Sequence, residues 1–414
     1  MAYFPHTETD IEAMLQTIGL KSIAELFAAV PEKLRSVKIP EFAPVSELEL
    51  LAEIDEIRRA PENSEHSFLG AGRYDHYIPA IVPQLAGRSE FYTAYTPYQP
   101  EISQGTLTAI YEFQSMICAL TGLDIANASL YDGATALAEA IGMAVSVTGR
   151  REYIVANPLH PNYREVLKTH LMPRSITEQK EITPRTAAVI FVLPDYHGLL
   201  SDWIEYLQKA RMHGALFIAC ADPLLLSVIE PPQADIIAGE AQSLGLPQNF
   251  GGPALGYLTA RKEFLRQMPG RIVGRTEDNR GGRPFVLTMQ TREQHIRREK
   301  ATSNICSNEA LCALQAAIYM SYMGADGLQT VARLCKANTD YAKQKLGSLP
   351  GFSAEQGEHF RDFVLRCPSS AQEICNAAGA GMALDDRRLL LSVTEKNTPA
   401  QIDYLAGVLA KWKN

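Results

Sequence analysis

Two side chains with chemistry to offer fall at matching places in the chain. His160 follows the apolar run Tyr153–Ala156, and Asp222 follows Ala215–Ala221. Further runs at Ala187–Leu193, Ala234–Ala238 and Ala254–Ala260 alternate with helical or loop segments. That alternation predicts a mainly parallel sheet covered on both faces. In such sheets ligands sit beyond the carboxyl ends of the strands, so the imidazole and the carboxylate would point into one crevice. A lone residue at a strand end is more often a satisfied loop residue; the pair at matching ends strengthens the case for a ligand pocket without displacing that reading. The loop Gly239–Gln248 carries Glu240, Ala241, Gln242 and Ser243 at its start, and no lysine. An amide such as Gln242 is not a nucleophile and cannot form a Schiff base.

Two other stretches bear on binding. The small-residue turn Ala128–Leu137 opens a helix, and free N–H groups at a helix start make an anion cradle. Asp132 sits in that turn, where a carboxylate competes with an anion for the same donors. Asp132 therefore reads as the helix N-cap. Residues 61–105 are rich in glycine, proline and aromatics, including Phe91–Gly105, FYTAYTPYQPEISQG. Loops this long are uncommon unless functional. Rings with hydroxyl tips suit a small-molecule pocket or a subunit interface, and an aromatic strap over the core is the equal alternative. GAGRYDH lacks the G-x-G-x-x-G spacing and has no preceding strand, so it is no dinucleotide fingerprint.

The elements that must position these groups divide into three parts: a helical arm at 1–65, a large α/β domain at 66–325 and a small α+β domain at 326–414. The arm carries three capping-box patterns, Thr9-x-x-Glu12, Ser22-x-x-Glu25 and Ser46-x-x-Glu49. Its amphipathic helices need something to pack on, either the main domain or another subunit. A long helix from Glu309 should stop at Gly324. The small domain should have strands near Phe363–Leu365 and Leu389–Val393, a capping box at Ser370-x-x-Glu373 and a last helix opened by Thr398-Pro-Ala-Gln401.

Composition excludes several classes. The 414 residues are 46% hydrophobic and 21% charged, ordinary for a globular protein, and the net charge of −8 argues against nucleic acid. The one basic cluster, Arg297, Arg298 and Lys300, has Glu299 inside it. No apolar run approaches the roughly 20 residues of a membrane span. MAYFPHTETD lacks signal-peptide features. Seven dispersed cysteines without a C-x-x-C pair suit reduced thiols in a cytoplasmic protein, and no zinc-ligand spacing exists.

Several motifs together resemble one family: FLGAGRYDHYIPA, TPYQPEISQG, TGLDIANASLYDGATALAEA, REKATSNIC and VTEKNT. With them the whole chain resembles the N-terminal half of glycine decarboxylase, the P-protein of the glycine cleavage system, and more closely the alpha subunit of its two-subunit bacterial form. The resemblance implies a fold-type-I pyridoxal-phosphate transferase architecture, α/β with a large and a small domain, and an alpha–beta pair. It implies that the beta subunit holds the pyridoxal phosphate covalently and that the pair decarboxylates glycine. The aminomethyl group then passes to the lipoyl arm of the H-protein. By alignment of the glycine turns, Gln242 stands where the Schiff-base lysine would be. Asp222 resembles the carboxylate that holds the pyridinium nitrogen, and His160 the residue that stacks on the ring, both now vestigial. Tyr95, Thr96, Tyr98 and Glu101 are expected to reach the partner's active site. Two alternatives stand beside this one: an independent enzyme using Lys300, and a non-catalytic scaffold or regulatory subunit.

Overall fold

Seven strands lie side by side: β1 (Ile125–Ala126), β2 (Glu152–Val155), β3 (Thr177–Gln179), β4 (Thr186–Leu193), β5 (Leu216–Ala221), β6 (Ile236–Glu240) and β7 (Gly256–Ala260). Their spatial order is β1-β7-β6-β5-β4-β2-β3. Strands β3, β2, β4, β5 and β6 run parallel, while β7 is antiparallel to β6 and β1 to β7. The interior strand β4, TAAVIFVL, is buried at every position, as a parallel strand covered on both faces must be. This computed structural model describes residues 6–35, 43–59, 67–290, 294–301, 303–305 and 308–412. The chain forms two units, Met1–Glu62 and Asn63–Asn414.

The first unit is helical: α1 (Glu8–Ile18), a 3-10 turn Ile23–Phe27, α2 (Glu32–Arg35) and α3 (Glu47–Arg59). The expected cap at Thr9 is displaced. Thr7 caps α1, in a reciprocal pair with Asp10, because that box lengthens the helix and puts two acids at its start. Ser22 makes no side-chain cap, and only Glu25 reaches back, to the Lys21 N–H. Ser46 and Glu49 form the full box.

In the second unit, α4 (Ile81–Ala86) and α5 (Ser89–Tyr92) lead to α6 (Gln104–Thr121), α7 (Gly133–Thr148), α8 (Pro161–Leu171), α9 (Ile204–Met212), the short α10 (Gln294–Arg297) and the long α11 (Ala310–Gly347). The two-residue period of the strands sorts these helices between the faces. Val189, Phe191 and Leu193 join a core with α6, α9 and α11. Ala188, Ile190 and Val192 join the other core, with α7 and α8. A hairpin, β8 (Ile272–Arg275) and β9 (Phe285–Thr288), packs Val273 and Leu287 against Leu107 and Ile110 of α6.

The predicted stop at Gly324 is a kink, with that glycine at φ 63° inside α11. Beyond it the chain builds β10 (Ser353–Ala354), β11 (Asp362–Arg366), β12 (Met382–Ala383) and β13 (Arg388–Ser392), in the antiparallel order β10-β11-β13-β12. Helices α12 (Ala371–Ala378) and α13 (Pro399–Leu409) cover it, around Phe363, Leu389 and Ile402. Thr398 and Gln401 form their capping box; Ser370 starts α12 without a side-chain bond.

Strand β6 runs two residues further than the apolar pattern implied, ending on Glu240. Gly239 lies inside it, and a Cβ there would sit 2.2 Å from the Ala221 carbonyl oxygen of β5. A backbone atom cannot move aside, so Gly239→Ala should cost about 1–3 kcal/mol through overpacking. Thermal unfolding of the variant should show a clearly lower midpoint; an unchanged midpoint would contradict this packing.

Candidate functional site

The carboxyl ends of β4, β5 and β6 open onto a pocket of about 100 Å³ whose walls include His160, Tyr163, Asp222, Glu240, Gln242 and Asp362. His160, Asp222 and Gln242, singled out from sequence, therefore meet in one place. Each already has a structural task.

Asp222 turns off the end of β5. One of its oxygens accepts the N–H groups of Leu224 and Leu225, at 2.8 and 3.2 Å. The other is paired with the guanidinium of Arg361. Arg361 is 1% exposed and lies just before β11 at φ 60°. Its guanidinium lies 3.7 Å from the centre of the Tyr74 ring and donates from Nη1 to His76 Nε2, at 2.7 Å. Arginine can only donate, so the His76 proton is on Nδ1, facing Glu395 at 2.7 Å. The Cys335 thiol follows, 3.4 Å from the same Glu395 oxygen. Tyr74 also donates to Asp362, at 2.5 Å.

His76, Cys335 and Glu395 place ligand-type atoms within 4.8 Å of one another. They do not make a metal site. Both His76 nitrogens are engaged, and burial pushes the Cys335 thiol well above its ordinary value, away from the thiolate a metal needs.

Gln242 is 1% exposed. Its Oε1 accepts the Tyr74 N–H at 3.0 Å, and its Nε2 donates to the carbonyls of Tyr74 at 3.0 Å and Leu246 at 2.7 Å. The amide thus pairs with the backbone of Tyr74 as a strand neighbour would. Glu240 spans a second junction. Oε1 accepts from the N–H groups of Gln242 (3.1 Å) and Leu255 (3.0 Å), and Oε2 from Gly133 (3.0 Å), the first residue of α7. Burial raises its pKa, against the pull of those N–H groups and of Arg73. Asp132 caps α7 through the Thr135 N–H at 2.8 Å. His160 caps α8, its Nδ1 accepting the Asn162 N–H at 3.0 Å, and burial lowers its pKa.

The aromatic loop lies elsewhere. Tyr95, Thr96, Arg271, Asn308 and Leu311 line a second cavity of about 200 Å³. Tyr95 is 88% exposed and Ile102 81%. Tyr98 is exposed with its ring 5.7 Å from the Arg271 guanidinium, and Glu101 is exposed. Lys300 lies exposed in a 3-10 turn and lines neither cavity. Sequence reading missed Arg361, Tyr74, His76 and Glu395. The signal for three of these lay in the YDH and VTEKNT motifs, noted as family marks and not as site residues.

The glycine cleavage system P-protein model matches residues 1–409. The chain is 45% identical to the "Probable glycine dehydrogenase (decarboxylating) subunit 1" of Desulfitobacterium hafniense over 100% of both chains. It is 44% identical to the protein of the same name from Thermomicrobium roseum over 99% of each. The chain belongs to the glycine cleavage system P-protein family. A crystal structure of glycine decarboxylase (P-protein) of the glycine cleavage system, in inhibitor-bound form, superposes with a TM-score of 0.87 at 39% identity, covering 99% of this chain and 100% of that one. The architecture is the fold-type-I arrangement the family resemblance implied.

The residues of this P-protein family member do not fit a pyridoxal phosphate in its own pocket. The strand-end amide is tied to backbone, the start of α7 is bonded by two carboxylates, and Asp222 is neutralised by Arg361. Ser243 Oγ is buried without a partner, but one hydroxyl is not a cofactor anchor.

The buried His76 makes stability depend on pH. Burial, then the adjacent Arg361 charge, hold its pKa below the ordinary value. The stability His76 contributes is fully present above the unfolded value near 6.5, and is lost as pH falls from there through the folded value. Raised carboxylates such as Asp362 act in the opposite sense, so the difference between variants isolates the histidine. His76→Gln should lose less stability than the parent as pH falls from about 7.5 to 5.5. Parallel curves from denaturant titrations at the two pH values would contradict it.

Proposed function

We propose that this chain is the subunit of glycine dehydrogenase (decarboxylating) that carries no cofactor and completes the active site of a second, beta, subunit. One observation carries this reading. At the strand end where the family resemblance puts a Schiff-base lysine, the chain holds Gln242, an amide with no nucleophilic nitrogen and with both polar atoms bonded to backbone. The chain alone is therefore inactive, and the pyridoxal phosphate sits on the beta subunit's lysine. There the cofactor supplies the electron sink for loss of carbon dioxide from glycine.

This chain's part is done at its surface. Decarboxylation favours a dry site, and the exposed rings of Tyr95 and Tyr98 offer apolar area that sheds water when a partner covers it. The Tyr98 hydroxyl, Thr96 and Glu101 offer polar groups to orient what is bound there. The Arg271 guanidinium beside the Tyr98 ring restrains it. The lipoylated H-protein takes up the aminomethyl group in this scheme. The cytoplasm is the proposed location; among the described residues no helix is long and apolar enough to cross a membrane.

Reconstitution tests the division of labour. Purified chain given pyridoxal phosphate should neither absorb as a Schiff base nor turn over glycine, and activity should appear on mixing with the beta subunit. Glycine turnover by the chain alone would overturn the reading. Within the pair, Tyr98→Ala should lower kcat/KM on the order of tenfold or more with assembly intact, the loss of one contact of about 1.4 kcal/mol. Unchanged kcat/KM would favour a scaffold.

A further inference from the structure

We propose that this chain is closed to pyridoxal phosphate by self-occupancy: Glu240 and Asp132 take the anion seat at the start of α7, and Arg361 takes the carboxylate of Asp222. Loss of the lysine is then only one of three locks, and restoring it alone does not restore a cofactor site. This goes beyond division of labour, since a chain lacking only its amine would regain the cofactor on receiving one.

The first lock is the anion seat. A helix start presents unpaired N–H groups that attract a phosphate. Here the Gly133 N–H is held by Glu240 Oε2 at 3.0 Å and the Thr135 N–H by Asp132 Oδ1 at 2.8 Å. A phosphate would have to displace both carboxylates and lie against their charge. Glu240 cannot swing away cheaply, because its other oxygen holds the N–H groups of Gln242 and Leu255. A Cβ on Gly133 would lie 2.1 Å from the Tyr163 hydroxyl and 2.7 Å from the Glu240 N, so β6 and Tyr163 press closely on the first residue of α7.

The second lock is Arg361. Its guanidinium is planar, cationic and stacked on Tyr74, and it donates to Asp222. Those are the properties a protonated pyridine ring would bring to that carboxylate. The chain thus supplies its own flat cation. His76 Nε2 accepts a second guanidinium hydrogen, and His76 is itself held by Glu395. The third lock is the Gln242 amide, which a lysine would replace only by releasing the Tyr74 and Leu246 backbone groups.

The test uses the full chain. Gln242→Lys alone, and the combined variant Asp132→Ser, Glu240→Gln, Gln242→Lys, Arg361→Asn, are incubated with pyridoxal phosphate and reduced with borohydride. The aldehyde carbon bonds to the lysine nitrogen with loss of water, and hydride addition fixes the bond for peptide mapping. Serine keeps the α7 cap. The amide introduced by Glu240→Gln keeps an oxygen for the N–H groups of residues 242 and 255, and asparagine tolerates the left-handed backbone at 361. Self-occupancy predicts that the single variant carries at most about a tenth of the label found at position 242 in the combined one. Label in the single variant equal to the combined one overturns the proposal, as does a folded combined variant without label. Should the combined variant not fold, Asp132→Ser with Glu240→Gln decides through inorganic phosphate. That pair should gain a saturable rise in thermal midpoint that the parent chain lacks, and no such rise overturns the first lock.

Discussion

A guanidinium sealed from water governs the arrangement of this molecule's centre. Arg361 is 1% exposed, and a charge so placed is tolerable only when it is paired and hydrogen-bonded. Asp222, His76 and the face of Tyr74 provide that compensation. They come from the end of a main-sheet strand and from the loop after residue 67, while Arg361 itself leads into β11 of the small sheet. Removing either partner of such a buried pair typically costs about 3–5 kcal/mol. The pair is thus a constraint that joins the two sheets and fixes the loop between them, more than a source of net stability.

The same constraint settles what the pocket can do. In a doubly covered parallel sheet, the strand ends are where ligands find open backbone groups and converging side chains. In this chain those groups are spent on each other. Gln242 fastens the loop carrying Tyr74, Glu240 fastens the start of α7, and Asp222 fastens Arg361. The aromatic loop, by contrast, faces solvent, with Tyr95 88% and Ile102 81% exposed. In the proposed division of labour, the functional weight moves from the pocket to that surface.

Much of this was legible in the residues. The strands follow from apolar runs between turn residues, and Thr398-Pro-Ala-Gln401 announces its capping box. The rule of strand ends pointed His160 and Asp222 to one pocket, and the motif resemblance put Gln242 beside them. Other features were hidden for physical reasons. Strand β6 ends on Glu240 because that carboxylate is satisfied by three backbone N–H groups; in sequence a glutamate there looks like loop. Thr7 and Thr9 both offer a cap, and only the three-dimensional register chose between them. Arg361 was illegible because its partners are 139 and 285 residues away, and no local pattern encodes a contact at that range.

In the proposed division of labour this chain contributes surface and the partner contributes cofactor. The most direct measurement is borohydride reduction of the unmodified alpha–beta pair loaded with pyridoxal phosphate, followed by peptide mapping of both chains. The expected result is a pyridoxyl group on a lysine of the beta subunit and on no lysine of this chain. A stoichiometric label on any lysine of this chain, Lys300 included, would contradict it.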